Sequence, residues 1–144
     1  MSCIVVGYDG SPQGDKAIAF AKNMSNLIGD CEIVMVFVIE WSPYSFHTPE
    51  ELEERHQRRE HEIGQARDYV LKPAAEKARA EGFTVATEVR HGDAAKLLDK
   101  IARDRGANLI IIGRTGTGGL RDRVFGAVSA KLVASTTVPV TIIP

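Results

Sequence analysis

Asn108-Leu109-Ile110-Ile111-Ile112-Gly113 runs directly into Arg114-Thr115-Gly116-Thr117-Gly118-Gly119. Leu109, Ile110, Ile111 and Ile112 are apolar without alternation, as in a strand covered by helices on both faces of a parallel sheet. Four of the seven residues from Gly113 to Gly119 are glycine. Glycine permits positive φ and lets backbone N–H groups approach a ligand closely, and a helix starting just afterwards adds its partial positive charge. A turn of this composition suits phosphate. It also suits a tight connection whose glycines only pack a helix onto the sheet, and composition leaves both readings open. The pattern G-x-x-x-x-G-K-[ST] is missing from the run, so it has no P-loop lysine and no magnesium-holding hydroxyl.

Outward from this segment, short β-branched runs alternate with longer helical patterns, the signature of βαβ units. Strands are predicted over Cys3–Tyr8, Glu32–Ile39, Phe83–Arg90, Asn108–Gly113 and Val138–Ile143. Helices fill the gaps. Ser11 is placed to cap the first, with Pro12 at its first position and Gly29 just past its end. The stretch from Pro49 to Glu81 reads as mostly helical, kinked or broken near Pro73. A third helix begins at Asp93 and closes at Gly106, and a fourth is expected from about Gly119 to Ser135.

Ile4-Val5-Val6 shares the unalternating apolar character of the Leu109–Ile112 run, which makes both strands central. Phe83, Val85, Thr87 and Val89 alternate with more polar neighbours, and Pro139 cannot donate to a ladder, so the third and fifth strands belong at edges. The resulting fold is a doubly wound, flavodoxin-like α/β domain over residues 1–144, with a five-stranded parallel sheet of order 3-2-1-4-5. Ligands in such sheets bind at the carboxyl ends of the strands where the order reverses. That rule selects Gly7, Tyr8, Asp9, Gly10 and Ser11 after the first strand, and the glycine turn after the fourth.

Composition narrows the function. In 144 residues, 44% are hydrophobic, 26% are charged, and the net charge is -1. A packed core is expected, and no global positive field favours a nucleic acid or an anionic membrane. Met1-Ser2-Cys3 leads straight into an apolar strand without a basic leader, and no apolar run approaches the roughly 20 residues of a membrane span. A cytoplasmic location is the expectation. Cys3 and Cys31 form no C-x-x-C and read as buried free thiols.

Gly113 and Gly116, then nine residues, then Gly126 followed by Ala127, Val128 and Ser129, resemble the C-terminal signature of ATP-binding universal stress proteins, G-x-x-G, nine residues, G-[ST]. The opening from Ile4 to Ser11 and the closing Val138-Pro139-Val140 resemble the same family. The likeness covers essentially the whole chain, least well from Trp41 to about Glu62. It implies a regulator, usually dimeric in the family, with ATP at the switch point; the sequence does not fix a metal, and Mg2+ or Mn2+ would come only through the phosphates. One branch of the family takes no nucleotide. By matched position Gly113, Gly116 and Gly126 cradle the triphosphate, with Val128 beside them. Asp9 meets the nucleoside part, and Val38 the adenine. The surrounding segments add Gly7, Tyr8, Arg114, Thr117, Gly118 and Ser129 to the candidate set. Ala127 departs from the pattern, where the family places a hydroxyl, and Thr115 or Thr117 is positioned to donate instead.

Other constellations carry less. His56 and Glu60 have i, i+4 spacing, but Arg55, Arg58 and Arg59 surround them, as in a solvated charged face. His91 falls at the end of an edge strand. The sequence contains no G-x-S-x-G elbow and no recognisable base or metal pair. Catalysis, beyond slow ATP hydrolysis or self-phosphorylation at Thr115, Thr117 or Ser129, has no support. Val138, Val140, Ile142 and Ile143 leave an uncharged apolar edge, which predicts a two-fold dimer through the last strand. A protein partner is expected as well, of unspecified kind.

Overall fold

The computed structural model describes residues 1–40, 48–114 and 127–144. Its strands are β1 (Ser2–Gly7), β2 (Cys31–Ile39), β3 (Thr84–His91), β4 (Leu109–Gly113) and β5 (Val140–Ile143). All pairings are parallel, in the order β3-β2-β1-β4-β5, as the burial pattern of the sequence predicts. The helices are α1 (Pro12–Ile28), α2 (Pro49–Gln65), α3 (Lys72–Ala80), α4 (Ala94–Asp104) and α5 (Ala127–Ser135), with a π-helical turn over Ala66–Leu71 between α2 and α3.

Side chains alternate across the sheet and build two core layers. Ile4, Val6, Ile33, Met35 and Ile111 meet Ala17, Ile18 and Ala21 of α1, with Leu71, Ala75 and Ala78 beside them. On the other face, Val5, Val34, Val36 and Ile110 meet Ala95, Leu98 and Ile101 of α4 and Leu132 of α5. Both cysteines are buried and free, in opposite layers, so the sheet itself separates them. Burial is the largest influence on both thiols. It pushes Cys3 up to about 11 and raises Cys31 as well, both away from the thiolate form.

The caps hold α1 where the sequence puts it. Ser11 Oγ accepts the Gly14 N–H at 3.0 Å, Pro12 occupies the first turn, and Gly29 ends the helix at φ +99° with its N–H donating to the Ser25 carbonyl. Strand ends shift for local reasons. Tyr8 lies beyond β1, although its N–H still donates to the Val36 carbonyl at 2.8 Å. Phe83 precedes β3 because its N–H donates to Ala78 at the end of α3. Asn108 brackets β1 rather than extending β4, donating its N–H to the Cys3 carbonyl and accepting the Cys3 N–H on Oδ1. β5 starts after Pro139, which accepts from Ile110 N–H but has no N–H to return, and Val138 donates instead to Thr136 Oγ1.

The break expected near Pro73 takes another form. The chain stays helical from Pro49 to Ala80, and the turn before the proline switches to π bonding, with Lys72 N–H donating to the Arg67 carbonyl. Pro73 supplies no N–H to the carbonyl four residues earlier, and the wider turn absorbs that loss without ending the helix. α2 opens with a capping box between Thr48 and Glu51 and buries none of its residues. His56 and Glu60 pair at 3.1 Å on its exposed face, as the charged pattern predicts. The predicted start of the last helix near Gly119 lies outside the described residues; α5 is described from Ala127. No described helix is long and apolar enough to cross a membrane.

Candidate functional site

β1 pairs with β2 on one side and β4 on the other, so the carboxyl ends of β1 and β4 are neighbours from which the chain leaves in opposite directions. A crevice at such a reversal is where open α/β sheets bind ligands. After β1, Asp9 Oδ1 accepts the Ser11 N–H at 2.9 Å, which fixes the carboxylate against the start of α1 while Ser11 itself caps the helix. Asp9 is only half-buried and takes part in further interactions. Tyr8 donates its hydroxyl to Asp15 Oδ1 at 2.7 Å. Burial first, then that bond and the Asp15 charge, raise the Tyr8 phenol above its ordinary value, so it remains a donor at neutral pH.

Three glycines shape the crevice by what they leave out. A Cβ on Gly14 would lie 2.7 Å from the Tyr8 ring and 3.2 Å from Asp9 Oδ1, so this position of α1 must be bare for the β1–α1 turn to fold over it. A Cβ on Gly7 would lie 2.9 Å from Ile112 and 3.4 Å from Leu98. On Gly113 it would stand 2.9 Å from Gln13 Cβ and 3.2 Å from the Gln13 backbone carbon and oxygen. Gly7 and Gly113 therefore allow close packing around the switch point. Gln13 was not singled out by the sequence. Its Oε1 is buried with no hydrogen-bond partner among the described residues, an acceptor beside the end of β4.

The remaining candidates divide. Arg114 is exposed, its N–H donating to the Ile143 carbonyl at 2.7 Å, and it has further interactions. Val38 near the end of β2 and Val128 in α5 are partly buried against the same core layer, and Ser129 is buried in α5. Ala127 is the first residue of α5. Gly116, Thr117, Gly118 and Gly126, with Thr115, lie outside the described residues. His91 closes β3 at the sheet edge with Nε2 3.4 Å from Glu62 Oε2. No group of three or more His, Cys, Asp or Glu able to hold a metal occurs among the described residues. A single signal in the sequence could have found the Gly14 contact, since glycine inside a helix costs about 1 kcal/mol and so implies something packed against it.

The sheet order, the reversal between β1 and β4, and the turn anchored by Asp9 define an open, doubly wound α/β fold. The chain belongs to the universal stress protein family, whose family model matches residues 1–144. A universal stress protein of Mycolicibacterium smegmatis is 28% identical over 97% of this chain, and the chain spans 47% of that relative's length. Among solved structures, a universal stress protein of Lactobacillus plantarum superposes with a TM-score of 0.83 at 20% identity, covering 99% of this chain and 97% of the other. The universal stress protein of Archaeoglobus fulgidus in complex with dAMP superposes at 0.62 with 20% identity, covering 100% of this chain and 98% of the other.

Proposed function

We propose that the chain is a regulatory protein that binds ATP at the carboxyl ends of β1 and β4. The observation that carries the reading is the sequence Gly113, Gly116, nine residues, Gly126, which opens at the reversal of strand order. In this reading Gly116 and Gly126 bring backbone N–H groups to the phosphates, and the start of α5 adds the positive end of its dipole. Asp9 meets ribose hydroxyls rather than phosphates, since like charges would repel. Val38 lies against the adenine. The orphaned Gln13 acceptor fits a ligand that brings hydroxyl or amino donors into the crevice. A divalent cation would be held through the phosphates. The dAMP complex of the Archaeoglobus fulgidus protein supports an adenine nucleotide as the class of ligand.

Ala127 favours a second reading, a dimeric interaction protein of the same fold that takes no nucleotide. Chromatography of small molecules released on denaturing freshly purified protein separates the two. An adenine nucleotide near one per chain supports the first. None, together with no calorimetric heat on adding ATP with or without magnesium, leaves the second. Under the first reading, Ala127→Ser restores the missing hydroxyl and is expected to tighten ATP binding by up to about tenfold. Weaker binding of that variant would count against the pose.

The reading includes a dimer formed by β5, whose outer edge has no neighbour in the five-stranded order. Light scattering at micromolar concentration is expected to return twice the 15.7 kDa chain mass. A monomer alone would reject the contact.

A further inference from the structure

On the sheet face opposite to that packed by Val38, α1 covers β1, β2 and β4, while the π turn covers β2 and β3 and α3 covers β3. Between these helices lies a groove of about 580 Å3, within the range of small-molecule sites. Its α1 wall is Asp15, Ile18, Ala19 and Lys22, a stripe at i, i+3, i+4 and i+7. The opposite wall is Tyr69, Val70, Pro73, Ala74 and Lys77. Each wall carries an alanine, Ala19 and Ala74, whose short side chains leave the groove open.

The π turn helps to shape this wall. Tyr69 and Val70 sit within it, and Tyr69 is 77% exposed. Gly10, turned at φ +81°, places its backbone against Val70, where a Cβ would come within 3.3 Å. One end of the groove is therefore framed by the β1–α1 turn and two aromatic rings, Tyr8 and Tyr69.

Charge gives the groove a direction. At the aromatic end, Asp15 is occupied by the Tyr8 hydroxyl and repels an anion. At the other end, Lys22 is bound by both Glu81 carboxylate oxygens at 3.1 Å and lies 5.9 Å from the Phe83 ring. Lys77 forms no ion pair among the described residues and supplies the uncommitted positive charge. Seven residues of α1 separate Asp15 from Lys22, which at 1.5 Å per residue is about 10 Å.

We propose that this groove is a second ligand site, taking a planar aromatic carboxylate about 10 Å long with its ring toward Tyr8 and Tyr69 and its anion at Lys77. The inference is independent of the nucleotide reading.

The probes are 2-naphthoate and its cationic counterpart 2-naphthylmethylammonium, titrated into the full chain by calorimetry. The carboxylate is expected to saturate at one per chain and to bind about tenfold more tightly than the ammonium. Lys77→Glu is expected to reverse that order. Ala74→Phe is expected to weaken the carboxylate about tenfold by filling the groove, with Ala19→Phe as the substitute if Ala74→Phe lowers the melting temperature. Saturating ATP and the Gly116→Val change should leave naphthoate binding within about twofold. Absence of saturable binding, equal affinity for the two charges, indifference to the variants, or displacement by ATP would each overturn the proposal.

Discussion

Gly116→Val is expected to weaken ATP binding by at least about 100-fold, equivalent to roughly 2.7 kcal/mol, while leaving the far-ultraviolet circular dichroism and melting temperature at wild-type values. Gly116 lies outside the described residues, and the expectation rests on its place in the G-x-x-G spacing. In the proposed pose, a branched side chain there would take the space through which backbone N–H groups approach phosphate. Gly113→Val provides the contrast. Its Cβ would meet Gln13 Cβ at 2.9 Å and the Gln13 backbone at 3.2 Å, and a helix backbone cannot swing aside as a flexible side chain can. That variant is expected to lose about 2–3 kcal/mol of stability whether or not nucleotide is present. Urea unfolding and calorimetry on both proteins separate a binding glycine from a packing glycine. Equal ATP affinity in wild type and Gly116→Val would remove the loop from the site.

The sheet was legible because its order follows from burial, and burial is written in side-chain type. Ile4-Val5-Val6 and Leu109–Ile112 needed covering on both faces and lie inside the sheet, while alternating β3 and proline-headed β5 took the edges. The α1 caps were equally plain, since Ser11, Pro12 and Gly29 each have one favoured position at a helix end. The middle of the chain was harder. Pro73 announces a lost hydrogen bond, but whether a helix breaks, kinks or widens depends on tertiary support, and here Leu71, Ala75 and Ala78 anchor the rod against the sheet.

Pair contacts at the site were illegible for a related reason. The rule for strand-order reversal finds the end of β1 without alignment, and Asp9 is there. It does not say that Tyr8 reaches Asp15, that Gly14 is bare to seat the Tyr8 ring, or that Gly113 is small because Gln13 comes close. A glycine has one letter for two uses, conformational freedom and close approach, and only its neighbours in space distinguish them.

Asp99→Ala is expected to cost about 3 kcal/mol and to lower the melting temperature by about 10 °C. Asp99 lies in α4 and is only 9% exposed, so its carboxylate must be compensated. Oδ1 accepts the Thr137 N–H at 2.8 Å and the Thr137 and Thr136 hydroxyls at 3.0 and 3.2 Å, and Oδ2 accepts Arg103 Nε at 2.9 Å. These bonds tie α4 to the turn between α5 and β5. Arg103 is more than half exposed and the Thr136 hydroxyl also reaches the Val138 carbonyl at 2.8 Å, so most of the cost comes from the Thr137 N–H and hydroxyl that lose their acceptor. Burial acts to raise the Asp99 carboxyl, but the bonds from Thr137, Arg103 and Thr136 outweigh it and hold it below its ordinary value. The folded pKa thus lies under the unfolded one of about 3.9, so this contribution is complete above the unfolded value and is lost as pH falls through the folded one. Asp99→Asn keeps the shape without the titrating charge, and its stability is expected to fall less steeply than wild type below about pH 4. Urea unfolding at pH 7, about 4 and about 3 reads the difference, and parallel pH dependences for wild type and Asp99→Asn would show that the anchor does not depend on charge.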